Sequence, residues 1–179
     1  MKAHKWHVVV VFTVLLLVAV QPAPQLAGAV PLNHKLSGTM PSFGDVEASL
    51  AIALSVDGRY VVYVADQDTD DAKELWSAPA DASAPPVRLS GLLPAGTTIQ
   101  SFLIAPNSER VVYKAAQDTA GLAELYSVPI GGGTPVKLNG TLIPGRSVFE
   151  YEIAPDSSRV VYVAEQDVRF RKDVYSVDL

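Results

Sequence analysis

"RVVYVAEQD", Arg159–Asp167, is the third appearance of one phrase: "RYVVYVADQD" runs from Arg59 to Asp68 and "RVVYKAAQD" from Arg110 to Asp118. Outward from that phrase the chain aligns with itself at a period of fifty and then forty-nine residues. Tyr63, Tyr113 and Tyr162 correspond, as do Gln67, Gln117 and Gln166. "ELWSAP" from Glu74 matches "ELYSVP" from Glu124 and "DVYSVD" from Asp173, and "PVRLSGLLP" from Pro86 matches "PVKLNGTLIP" from Pro135. A period of this length is the mark of stacked supersecondary units, none of which can bury its faces alone.

Each unit reads as four short antiparallel strands. In the second copy they are expected over Ile99–Ala105, Arg110–Ala116, Ala123–Ile130 and Pro135–Asn139, where Val, Ile and Tyr dominate and "APNSE", "QDTAG" and "GGGTP" supply turns. Asp57-Gly58 opens the first hairpin of the first copy. Beyond the N-terminal run no stretch carries the 3.6-residue apolar period of a helix, so the class is all-β. Strands such as "RVVYVA" are apolar on both faces, which requires a sheet covered on both sides. Four-stranded sheets stacked face to face around an axis, the blades of a β-propeller, meet that need. A sandwich of the same strands competes, but it does not call for a repeat of this length.

"IAPNSERVVYKA" and "IAPDSSRVVYVA", followed by "ELYSVP" and "PVKLN", resemble the repeat of TolB-like (WD-repeat-like) β-propellers, whose blades carry a Pro-Asp-Gly turn between the inner two strands. The resemblance covers nearly all of Lys35–Leu179. It departs at that turn: Val56 stands where Pro106 and Pro155 do, and the second and third copies lack the glycine. It implies an extracytoplasmic scaffold without naming a partner.

Lys2 and Lys5 precede the apolar run Val8–Val20, too short to span a bilayer, and Ala27-Gly28-Ala29 offers small residues to a signal peptidase. Residues 1–29 are thus expected to be a signal peptide and 30–179 a partial propeller of about three blades, secreted or periplasmic, with no membrane association after cleavage. Loss of the two lysines takes the formal charge from −5 to −7. So acidic a chain gives no electrostatic footing to nucleic acid. The absence of cysteine from an exported chain leaves packing alone to hold the fold.

"PLNHKLSGTMP", from Pro31, matches "PVKLNGTLIP" and reads as the fourth strand of a blade lacking its first three, whereas "DVYSVDL" ends at a third strand. The N-terminal strand is therefore expected to complete the last blade, in cis or in trans. Propellers usually have 4 to 8 blades, so a closed ring of three in one chain is not expected. Three readings stand: two chains forming a six-bladed ring, a fragment or decayed copy of a longer propeller protein, or a different exported protein supplying further blades.

Loops after second and fourth strands share one mouth, and there the candidate binding residues lie: Asp66, Asp68, Asp70, Asp118, Asp167, Arg169, Phe170 and Arg171. Asp66, Asp68 and Asp70 have the spacing of the first ligands of a calcium loop, but Asp71 and Ser77 occupy the positions of its glycine and glutamate. The bland alternative is that these residues bond the turn's own backbone. "VRFRKD" is the one basic cluster; a solvated loop whose Phe170 packs on the next blade competes with an anionic contact there. Trp76, Tyr126 and Tyr175 read as core aromatics before sugar platforms. His34 is the only histidine after the signal, and neither a Gly-x-Ser-x-Gly elbow nor a zinc ligand set is present. The expectation is a non-enzymatic module without cofactor, acting in protein–protein binding or as a scaffold. The alternatives are a glycan-binding module, or a nonfunctional fragment of a longer propeller protein or propeller-containing hydrolase.

Overall fold

A computed structural model describes residues 33–50, 52–68, 70–94 and 96–179, so the expected signal peptide lies outside the described residues. Three antiparallel sheets follow one another along the chain. The first holds β1 (Ala53–Leu54), β2 (Tyr60–Ala65), β3 (Glu74–Pro79) and β4 (Val87–Arg88) in that order. The second holds β5 (Ile99–Ile104), β6 (Arg110–Ala115), β7 (Glu124–Pro129) and β8 (Val136–Lys137), and the third β9 (Val148–Ile153), β10 (Arg159–Ala164) and β11 (Asp173–Asp178). These are β-propeller blades, each strand hydrogen-bonded to its neighbour in sequence.

The fourth strands are shorter than expected, for a local reason. In the second blade Leu138 N donates to Leu125 O at 2.8 Å, but Leu125 N donates to the Asn139 side chain, Oδ1, at 2.7 Å. Leu89 and Ser90 repeat the arrangement on Leu75. A side-chain acceptor replaces the carbonyl that another residue of ladder would offer, and the strand ends.

Alternate residues of each strand serve different seams. Val62, Val64 and Leu75 of the first blade pack on Val111, Tyr113, Tyr126 and Val128 of the second. Val112 and Leu125, from the second blade's other face, pack on Val160, Tyr162 and Ala164 of the third. The repeated tyrosines lie in these seams: Tyr113 stacks on Tyr126 at 5.3 Å and Tyr162 on Tyr175 at 5.5 Å.

The first turn explains the missing glycines. Gly58, Ser108 and Ser157 all have positive φ, of 72°, 63° and 61°. Ser108 Oγ accepts from Asp57 N of the preceding blade at 3.1 Å, and Ser157 Oγ from Asn107 N at 3.0 Å. Serine tolerates a strained conformation because its hydroxyl ties adjacent blades. Replacing Ser157 with alanine is expected to cost about 1 kcal/mol, read as a lower urea midpoint at unchanged slope.

His34–Gly38 meets the first blade as the end of a fourth strand meets the blade after it. Gly38 N donates to Gln67 Oε1, as Gly91 N does to Gln117 Oε1 at 2.8 Å. Leu36 packs with Tyr63, Ala65 and Trp76. The segment forms no strand and does not pair with β11, so of the two completions of the last blade, in cis or in trans, the one in cis is not made. Its own leucine and glycine are held on the first blade, while β11 edges the third sheet.

Two surface carboxylates make a small contribution to stability that acid removes. Glu47 is lowered to about 2, chiefly by its bond from Lys73, and Asp57 to about 2 by Ser55 and Arg59. Both carboxyls are depressed, so their contribution is present above the unfolded values of 4.5 and 3.8 and is lost as pH falls toward 2. The urea midpoint is expected to hold from about pH 7 to about pH 5 and to fall modestly below about pH 4.5.

Candidate functional site

Loops after second and fourth strands do meet at one end of the blades. Ile143 N donates to Glu165 O at 3.1 Å, Val148 N to Ala123 O at 2.9 Å, and Lys73 bridges to Thr98. Within each loop after a second strand one described residue has positive φ: Asp71 (64°), Gly121 (76°) and Phe170 (63°). Glycine adopts this conformation without strain. In the other two copies a carboxylate five residues earlier binds the strained residue's amide, Asp66 Oδ2 accepting from Asp71 N at 3.3 Å and Glu165 Oε2 from Phe170 N at 2.9 Å. Where that acid is absent, at Ala116, glycine takes the strained place.

The candidate calcium trio is divided among other tasks. Asp66 is buried and also accepts from Asp45 N; Asp68 Oδ2 lies 2.9 Å from Arg88 Nη1; Asp70 is exposed. Among the described residues no group of three or more His, Asp or Glu is placed to hold a metal ion. Millimolar calcium is expected to leave the thermal midpoint unchanged, since only a ligand favouring the native state raises it.

Asp68, Asp118 and Asp167 belong to a repeated cation cradle. In the first blade Arg88 on β4 reaches both Asp68 and Glu74 on β3, at 2.9 and 3.1 Å. In the second, Lys137 on β8 reaches Asp118 at 2.7 Å and Glu124 at 2.9 Å, beside the Tyr126 ring. The third blade has the acids Asp167 and Asp173 and the ring of Tyr175, whose hydroxyl donates to Asp167 at 3.1 Å. Among the described residues no fourth strand brings a cation to them; Arg171 takes Asp173 at 2.8 Å from within its own loop. The sequence reading overlooked Glu74, Glu124, Arg88 and Lys137. Their signal was the recurrence of an acid on each third strand with a cation on the following fourth.

The inner acids are the buried ones. Glu74 and Glu124 are nearly inaccessible, and burial raises the Glu74 carboxyl against the opposing pull of Arg88. Glu74 Oε2 has no hydrogen-bond partner.

Phe170 does not pack on a following blade: it is 76% exposed, with the Arg146 guanidinium 4.7 Å and that of Arg169 5.0 Å from its ring. Trp76 and Tyr126 are buried and Trp76 Nε1 donates to Ala65 O, so neither ring is presented as a sugar platform.

The third blade's outer face differs most from its counterparts. Val174 stands where Leu75 and Leu125 stand in the first two blades; it is 70% exposed and they are 0% exposed. Val161, at 41%, corresponds to Val62 and Val112, both 0%. At the other end of the array a groove of about 300 Å³ is lined by Leu36, Val46, Ile52, Val61 and Tyr63.

Fold and surface together define a β-propeller module with loop-rich blades and, among the described residues, a third sheet edged by β11. Among solved structures the chain is similar to a puromycin-hydrolyzing peptidase of Mycobacterium tuberculosis, with TM-score 0.51 and 18% identity over 82% of this chain and 23% of that one. A prolyl endopeptidase gives 0.49 and 13%, over 75% and 20% of the two chains; an oligogalacturonate lyase in complex with manganese gives 0.49 and 14%, over 82% and 38%. At these identities the likeness concerns the fold alone, and the chain spans between 20% and 38% of the length of these three proteins. No protein-family profile and no curated protein sequence matches the chain.

Proposed function

We propose that the chain is an exported, non-enzymatic module of TolB-like type that acts by binding protein through the edge and outer face of its third blade. The observation that carries the reading is the contrast between Val174 and its buried counterparts Leu75 and Leu125. Apolar side chains exposed where the other copies of the repeat bury them mark interaction sites, and an open strand edge recruits another strand. Export rests on the N-terminal lysines, the apolar run and Ala27-Gly28-Ala29.

The short span relative to the mycobacterial peptidase favours a second reading, in which these blades are part of a longer propeller-containing protein. Both readings require a protein surface against β11. A photo-crosslinker at Val174, activated in intact producing cells, is expected to give one discrete protein adduct, whereas a label at exposed Thr119 gives none. Folded chain without any adduct at Val174 would remove the binding role.

A further inference from the structure

We infer that the partner at β11 is a second copy of this chain, whose His34–Gly38 segment pairs there and sets Lys35 between Asp167 and Asp173. The inference rests on the binding role proposed for that edge and names its occupant. Three independent matches carry it: backbone register, charge and apolar surface.

The register comes from the repeat. "HKLSG", His34–Gly38, aligns with "VRLSG" from Val87 and "VKLNG" from Val136. In the intact blades this segment does three things. Its second residue lies opposite the third-strand aromatic, Arg88 against Trp76 and Lys137 against Tyr126. Its leucine N–H donates to the third-strand Leu75 or Leu125 carbonyl. Its Ser or Asn side chain accepts from the same residue's amide. By this register Lys35 stands opposite Tyr175, His34 opposite Ser176, and Ser37 accepts from Val174 N.

The charge fits. Arg88 and Lys137 each bridge an acid of the preceding loop and an acid of the third strand. Lys35 is the cation of the third set; it is exposed, and Asp167 and Asp173 occupy the matching acid positions of the last blade. The segment's other side is already in place on its own first blade, through Gly38 and Leu36. A second copy's β11 therefore meets a segment that is anchored rather than free.

The apolar faces match as well. Val161 and Val174 are the counterparts of residues that cover Val111 and Tyr113, or Val160 and Tyr162, in the internal seams. In the second copy they meet Val61 and Tyr63, which line the groove at the start of the array. The interface is head to tail, so it closes only if the rotation per copy allows. Two copies of the three described sheets would fall within the 4 to 8 blades that propellers use, and closure at two is the arrangement expected. One internal contact is missing from this seam: Gly58 stands where Ser108 and Ser157 accept from the preceding blade.

The test exploits a chain without cysteine. Directly opposed antiparallel positions lie within disulfide reach. The full chain, expressed with its own N-terminus, carries His34→Cys and Ser176→Cys, both at exposed sites. Mild oxidation is expected to yield a covalent dimer. Monomer alone, or a ladder of open polymers, would overturn the closed two-copy assembly. Without cysteines, Lys35→Glu is expected to weaken dimerisation about tenfold or more by light scattering, and adding Asp167→Lys to recover much of it. An unchanged dimer in Lys35→Glu would remove the proposed register. Gly58→Ser, which supplies the missing acceptor, is expected to tighten the dimer about fivefold; no tightening would place Asp156 of the second copy elsewhere and overturn the register too. A Val174 adduct to a different protein would refute the second copy as partner while leaving the binding role intact.

Discussion

Replacing Tyr113 with alanine is expected to lower the unfolding free energy by about 4 kcal/mol, among the largest effects of any single substitution in the chain. Tyr113 is fully buried in the seam between the first two blades, stacked on Tyr126 and packed with Val62, Val64 and Leu75. Removing the ring opens a cavity that two sheets cannot close without breaking register. Its hydroxyl donates to Gln117 Oε1 at 2.6 Å, and the same oxygen accepts from Gly91 N. Burial raises its phenol far above the usual range, so it is a donor at neutral pH. Tyr113→Phe keeps the ring and leaves Gln117 its bond from Gly91, so it is expected to cost only about 1 kcal/mol. Urea unfolding of both variants separates packing from hydrogen bonding; equal losses would refute the assignment of the larger part to the ring.

The second large effect is expected at Lys137. Lys137→Ala strands Glu124, whose side chain is only 6% exposed, and releases Asp118. Removal of one partner of a buried ion pair destabilises strongly; with Lys137 itself 37% exposed, solvent screening reduces the expected loss to about 2 kcal/mol. Adding Glu124→Gln to Lys137→Ala removes both charges and leaves an amide oxygen to accept from Tyr126 Oη, which now lies 3.2 Å from Glu124 Oε2. Most of the stability is expected to return. If the paired variant is no better than Lys137→Ala, the cost lies in lost packing of the lysine stem rather than in a stranded charge.

Much of the fold was legible because the repeat samples one local problem three times. Two-faced apolar strands, turn residues at fixed offsets and a period near fifty leave stacked antiparallel sheets as the economical solution. The site was less legible. Asp66, Asp68 and Asp70 look alike in sequence, yet one caps a strained amide, one holds Arg88 and one meets solvent. Phe170, read from sequence either as packing on the next blade or as part of an anionic contact, is exposed beside Arg146 and Arg169.

The sequence by itself determined the four-strand unit, its copy number and the kinship of His34–Gly38 with the fourth strands, because those follow from periodicity and side-chain type. Tertiary structure alone decided which acids face a cation, why Ser108 and Ser157 replace glycine, and that His34–Gly38 lies on the first blade while β11 edges the third. Such outcomes depend on which residues of one blade meet the next, and stacking sets that across some fifty residues of chain, a distance that local preference does not reach.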